Sequence, residues 1–136
     1  MNNTENSPKP RPLSPHLQIY KLPLTAKTSI FHRFTGVVLS LGLLVLVAWL
    51  YAAAYNADLY ACMSECLSST VGLIALAGWT FAFFYHLANG VRHMVWDIGR
   101  GLDKHVSTRS GVVVILVALL ATAGTWYSIL CDMGVI

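Results

Sequence analysis

The chain has little charge. Of its 136 residues, 11% are Asp, Glu, Lys or Arg, against roughly 25% in an average soluble domain. Nine Lys/Arg and six Asp/Glu are too few to cover the surface of a soluble domain of this size. A disordered chain is excluded as well, since disorder needs low hydrophobicity and high charge, and here 56% of residues are hydrophobic. Three cysteines exclude a disulfide-stapled scaffold. Proline is absent after Pro23. There is no Gly-rich phosphate loop, no Ser/His/Asp order and no pair of catalytic carboxylates. No nucleic-acid partner is expected. A small integral membrane protein remains, too short for two independent domains.

The first 28 residues hold all five prolines, Pro8, Pro10, Pro12, Pro15 and Pro23, and many polar side chains. They contain neither an apolar run of signal-peptide length nor an Arg-rich transit helix. The segment 1–28 reads as a mature N-terminal arm, lying on the membrane surface or against a soluble partner. The rest, 29–136, reads as an all-α transmembrane anchor of three helices, at about 29–54, 68–97 and 110–131. Each stretch is long enough to cross a hydrocarbon core of about 30 Å. Backbone groups in lipid must be satisfied internally, which makes these segments helices. A soluble three-helix bundle would need polar outer faces, which the third segment lacks.

Charge sets the orientation. Lys9, Arg11, Lys21, Lys27 and Arg33 lie in or just after the arm, and Arg92, Arg100, Lys104 and Arg109 lie around the second loop. The short loop 55–67 has no Lys or Arg, and Asp58, Glu65 and Asp132 fall on its side. The positive-inside rule puts the N-terminus in the cytoplasm or matrix. The expected location is an inner membrane, with a bacterial one favoured over a mitochondrial one by the lack of a transit peptide.

Ionisable residues within membrane segments are costly and are functional candidates by default. One cluster is Ser29-Ile30-Phe31-His32-Arg33-Phe34-Thr35-Gly36. Ser29, Arg33, Gly36 and Ser40 share a helical face, expected to turn toward the bundle; Arg33 snorkelling to headgroups is the bland alternative. The other cluster runs from His86 to Asp97. His86, Asn89, His93 and Asp97 are spaced as one polar stripe, with His86 roughly 10 Å deeper than His93. A neutral His bonded across helices is one reading of His86. Haem ligation is the other, since imidazole is a common axial ligand and porphyrin needs an apolar slot. Ala82 and Gly90 leave room for a flat ring. His93, Arg92, His32 and Arg33 stand at the right helix ends to meet haem propionates, Arg through a bidentate fork. His86 and His93 project from one face of one helix, and His32 starts near the surface. A haem with two His ligands would therefore take the second from another membrane subunit. Cys62, Cys66 and Cys131 form no trusted metal pattern; a disulfide among them would need an oxidising compartment. Trp79, Trp96 and Trp126, with Tyr51, Tyr55 and Tyr60, suit interfacial belts.

These clusters carry a resemblance. Ser14-Pro15-His16-Leu17 with Ile19-Tyr20, then Ser29-Ile30 with His32-Arg33 and Thr35-Gly36, then His86, Asn89-Gly90, Arg92-His93 and Trp96-Asp97 resemble the cytochrome b subunit of succinate dehydrogenase. That family is the larger of the two membrane anchors of respiratory complex II. The resemblance implies that electrons from succinate pass through a flavoprotein and an iron–sulfur subunit to ubiquinone. It implies that His86 is an axial ligand of a b-type haem shared with a second small anchor subunit. Ser29 and Arg33, with Ile30 beside them, fall at the quinone site, and His32, Arg33 and His93 fall near the haem propionates or on a proton path. The arm would contact the iron–sulfur subunit. The alternatives are a fumarate reductase anchor, a purely structural anchor without redox cofactor, and a small transporter or channel subunit, disfavoured as a proton pump because no acidic residue lies deep.

Overall fold

The structure is a computed structural model that describes residues 21–134. Most of the arm 1–28, with His16, Lys9 and Arg11, lies outside the described residues. Four helices follow in order: α1 (Leu24–Tyr55), α2 (Ala57–Ser68), α3 (Thr70–Asp97) and α4 (Lys104–Asp132). Three of them, α1, α3 and α4, are long and apolar enough to cross a membrane. Among the described residues there is no strand, and the all-α transmembrane class stands.

Local chemistry sets the boundaries. Pro23 fixes its own φ and leaves its carbonyl to accept from Ala26 and Lys27, so α1 starts at once behind it. This takes the helix five residues into the expected arm. With 32 residues, α1 is about 48 Å long and projects well beyond a hydrocarbon core of about 30 Å.

The expected loop at 55–67 is instead the helix α2. A single residue, Asn56, breaks α1 with an extended backbone and caps α2 by accepting from Leu59 N–H at 2.9 Å. Ser69 repeats the device. Its hydroxyl donates to Cys66 O and accepts from Gly72 N–H, closing α2 and opening α3. Trp49 Nε1 donates to Ser64 Oγ at 3.0 Å, which ties α2 to α1. At the other end, Gly99 and Gly101 take φ of +76° and +72°, a left-handed turn that stops α3. Asp103 Oδ1 then accepts from His105 and Val106 N–H, and α4 begins at Lys104, ahead of the apolar run expected from 110.

The core is small and lies between α3 and α4, where buried Tyr85, Val114 and Ala118 pack with Phe81, Phe84, Ala88 and Ile115. Helix α1 leans on α3, and glycines set the approach. A Cβ on Gly42 would collide with the Trp79 indole. Trp79 is thus an interhelical packing residue, not part of an interfacial belt. Outside these seams the helices are lined with exposed apolar side chains such as Val37, Leu41, Leu44 and Leu120. Lipid tails or partner helices accommodate such surface; water does not. Lys21, Lys27, Arg33, Arg100, Lys104 and Arg109 gather at one end of the three long helices, and Asp58, Glu65 and Asp132 at the other; these are called the basic and acidic ends below.

Candidate functional site

Polar side chains near the basic end form two adjacent clusters. The first joins α1 to α3. His32 Nε2–H donates to the His86 carbonyl at 3.2 Å, and His86 Nδ1–H donates to the His32 carbonyl, also at 3.2 Å. Carbonyl oxygen only accepts, so each ring proton is assigned by its partner. Thr35 gives its hydroxyl proton to the same His32 carbonyl at 2.8 Å, and its Oγ1 lies 3.1 Å from His86 Nδ1 as a second acceptor. Neutral His86 is therefore the Nδ1–H tautomer, with its lone pair on Nε2, which makes no hydrogen bond among the described residues. Gly36 permits this approach; a Cβ there would stand 3.2 Å from His86 Cε1.

The rings continue as a column. His32 stacks on His86 with centroids 4.0 Å apart and on His93 at 5.2 Å. His93 meets the Trp96 indole edge-on at 4.9 Å.

The second cluster surrounds Arg92, whose exposure is only 6%. Its Nε–H donates to Ser110 Oγ. One terminal nitrogen donates to Thr28 Oγ1 and Asn89 Oδ1, and the other to the Ser107 carbonyl and hydroxyl. All five N–H donors of the guanidinium are matched, to acceptors on α1, α3 and α4. The guanidinium also lies 4.1 Å from the Trp96 ring centroid, a cation–π contact. Gly111 leaves space for it, 3.6 Å from the would-be Cβ. Beside this knot, Tyr85 donates to the Thr28 carbonyl at 2.9 Å.

The sequence matches the model of the succinate dehydrogenase/fumarate reductase transmembrane subunit family over residues 7–125. The chain belongs to that family. Over 105 residues it is 43% identical to the succinate dehydrogenase cytochrome b556 subunit of Paracoccus denitrificans, covering 77% of this chain and 81% of that protein. It is 39% identical over 116 residues to the b556 subunit of Rickettsia felis, covering 85% and 90%. The mitochondrial cytochrome b560 subunit of Sus scrofa is 42% identical over 116 residues, covering 84% and 69%.

Within this transmembrane subunit, the geometry sorts the expected residues. His86, His32 and His93 come together in one stack. Ser29 is half-buried, while Ile30 and Arg33 are exposed beside it. The stripe Ser29, Arg33, Gly36 and Ser40 does not face this chain's own bundle as a unit. Gly36 does, against His86, but Arg33 and Ser40 are exposed, because the inward face of α1 is Thr28, His32 and Thr35. The stripe His86, Asn89, His93 and Asp97 also divides. Three residues advance a helix by about 300°, and that offset turns Asn89 into the fully buried Arg92 knot. Arg92 is not available to meet propionates, since its donors are used inside the bundle. Ala82 is likewise buried in the bundle and offers no slot for a flat ring, whereas Gly90 faces open space. His32 is not a surface residue either: α1 starts at Leu24, which sets His32 two turns into the helix, between His86 and His93.

Thr28, Tyr85, Ser107 and Ser110 belong to none of the sequence motifs, and Thr35 stands in one without a role of its own. Thr28 and Thr35 are seven residues apart in an apolar helix, a one-face spacing that marks a polar seam. Among the described residues no three His, Cys, Asp or Glu side chains converge on a metal position. Cys62, Cys66 and Cys131 are free and exposed. His86 would serve as a single imidazole donor, which suffices for a metal whose equatorial ligands belong to a porphyrin.

Proposed function

We propose that this transmembrane subunit binds haem and quinone in a succinate:ubiquinone oxidoreductase, without a succinate-oxidising site of its own. One observation carries the reading. The Nδ1–H of His86 is held by the His32 carbonyl and Thr35 Oγ1, the arrangement by which a protein orients an imidazole ligand and leaves Nε2 to a metal. The cytochrome b names of the relatives support haem b as that metal's source. When bound, such a haem supplies one-electron transfer.

A second His ligand to the haem would come from another chain. His32 lies flat against His86 with its own Nε2–H committed to the His86 carbonyl, and His93 stands on the same helix. A second small anchor subunit donating a His completes the site. The iron–sulfur and flavoprotein subunits deliver electrons from succinate, and the arm 1–28 contacts the iron–sulfur subunit.

Ubiquinone is reduced beside Ser29, Ile30 and Arg33. Reduction builds negative charge on a quinone oxygen, and the Ser29 hydroxyl and Arg33 guanidinium stabilise it as preorganised donors do at an oxyanion. The exposed flank of α1 near the headgroups suits this role: the ring meets protons from water and the isoprenoid tail stays in lipid. Arg33 and His93 would meet the propionates of such a haem, and His32 and His93 would relay protons toward the quinone. The basic end lies in the cytoplasm or matrix, in an inner membrane, bacterial by preference. The relatives' names carry succinate dehydrogenase, which favours succinate oxidation over fumarate reduction.

The test is a reduced-minus-oxidised spectrum of membranes co-expressing the chain with its partner subunits. Wild type shows a low-spin b-type signal that His86→Ala loses or alters. Arg33→Ala keeps the signal and loses on the order of 100-fold in quinone reduction. A wild type without haem, or a His86→Ala spectrum like wild type, sinks the haem assignment. Equal pH profiles in wild type, His32→Gln and His93→Gln sink the proton relay.

A further inference from the structure

The haem reading leaves Trp96 without a role, yet Trp96 is held more firmly than its place at the end of α3 requires. Its Nε1–H donates to the Gly101 carbonyl at 3.1 Å. That carbonyl belongs to a turn residue with φ of +72°, a conformation few side chains accept. The Arg92 guanidinium lies on the indole, 4.1 Å from its centroid, and is itself immobilised by five hydrogen bonds to three helices. The indole is thus clamped at its nitrogen and on its ring.

What the clamped indole touches is His93, edge-on with an interplanar angle of 89°. No hydrogen bond of the His93 side chain is present among the described residues, so its neighbours' rings determine its plane. On its other side His93 stacks on His32 with an interplanar angle of 25°, and His32 stacks on His86 at 29°. Orientation therefore passes from Arg92 and the Gly101 turn, through Trp96, His93 and His32, to the imidazole of His86.

We propose that Trp96, clamped by Arg92 and Gly101, is a positioning residue: the His32 carbonyl and Thr35 aim the Nδ1–H of His86, and Trp96, through the stacked imidazoles of His93 and His32, sets the tilt of the His86 ring about that bond. The inference rests on His86 being a haem ligand. An axial imidazole's orientation and its outer contacts tune the electronic state of the iron it binds. Trp96 reaches His86 only through the two intervening rings of His93 and His32.

The experiment uses the assembled complex in its membrane, with Trp96→Leu, Trp96→Phe and, as a packing control near the middle of α1, Gly42→Ala. The readouts are the low-spin haem electron paramagnetic resonance g-values and the haem midpoint potential. Trp96→Leu removes the ring and is expected to shift both, with haem content retained. Trp96→Phe keeps a ring beside His93 and restores most of the wild-type signature. Gly42→Ala lowers the thermal midpoint and leaves the signature in place. A His86-dependent signal that is the same in Trp96→Leu as in wild type overturns this inference alone. So does a signature that moves as much in Gly42→Ala as in Trp96→Leu, because general loosening would then explain it. A wild type with no His86-dependent haem signal overturns the haem reading and this inference with it.

Discussion

Near the basic end, α1 and α3 meet through His32, Thr35 and His86, which share four hydrogen bonds of 2.8–3.2 Å, three across the helix pair and one within α1. Two turns along α3, about 10 Å away, the same helices meet through Gly42 and Trp79 by shape alone. The Trp79 Nε1 there is buried without a partner among the described residues. Beyond it opens an apolar cavity of about 520 Å³, lined by Val38, Leu46, Trp49, Leu67 and Leu76 among others. One contact fixes tautomers and aims the ring N–H groups; the other fixes only a distance. Redox and proton chemistry need the first kind, because a ligand lone pair must point one way. Anchoring needs only the second. The chain concentrates directional bonds on the α1–α3 seam around His86 and leaves the Gly42–Trp79 seam to van der Waals packing.

The sharpest way to break this contrast is to remove the centre of the polar half. Arg92→Leu deletes five hydrogen bonds and strands Asn89, whose Nδ2 already lacks a partner among the described residues. Interhelical hydrogen bonds in membranes average about 0.6 kcal/mol, so the four to α1 and α4 are worth about 2.4 kcal/mol, a large share of a typical stability of about 5–15 kcal/mol. The variant is expected to accumulate poorly in membranes by immunoblot and to melt well below wild type. Wild-type accumulation with an unchanged melting point would show that α1, α3 and α4 are held mainly by something else.

A milder blow to the apolar half sharpens the comparison. Gly42→Ala drives a methyl group into the Trp79 indole, and overpacking of this kind costs about 1–3 kcal/mol. The loss should fall on the thermal midpoint and spare the His86-dependent spectrum expected under the proposed function. Adding Trp79→Phe removes the indole nitrogen, the atom nearest the new methyl, so the double variant should recover part of the loss in a double-mutant cycle. Additive losses would mean that the two residues do not meet.

The amino-acid sequence makes the spans legible because hydropathy and charge asymmetry act over some twenty residues at a time. The His86 cluster is legible for the converse reason: an ionisable side chain in an apolar run has no cheap explanation. Helix α2 is hidden by the same averaging. Its evidence is two single residues, Asn56 and Ser69, whose side chains cap the next helix. The fate of Arg92 is not legible at all. Its position at a helix end suggests a group reaching outward for an anion. Its neutral acceptors come from residues 28, 107 and 110 as well as nearby Asn89, and only the packing of α1 and α4 brings them together. The side on which Arg33 points is similarly a matter of about 100° per residue, and small errors in the assumed inward face carry it from bundle to flank.

The smallest expected effect concerns α2, the element the apolar half holds most lightly. Ser64→Ala removes the acceptor for Trp49 Nε1–H, worth about 0.5–1.5 kcal/mol. The low end of that range applies, because both residues lie near the exposed acidic end and water or headgroups can replace the hydroxyl. Three other ties remain: the Trp49–Tyr60 ring contact at 5.3 Å and the caps at Asn56 and Ser69. The melting point of the whole chain should therefore barely move, while amide hydrogen exchange in α2 rises about twofold, since a loss of about 0.5 kcal/mol raises a local opening constant by that much. If exchange instead rises equally in α2 and around His86, the two halves are not mechanically separate. The orientation of the histidine column would then depend on packing at the far side of the membrane.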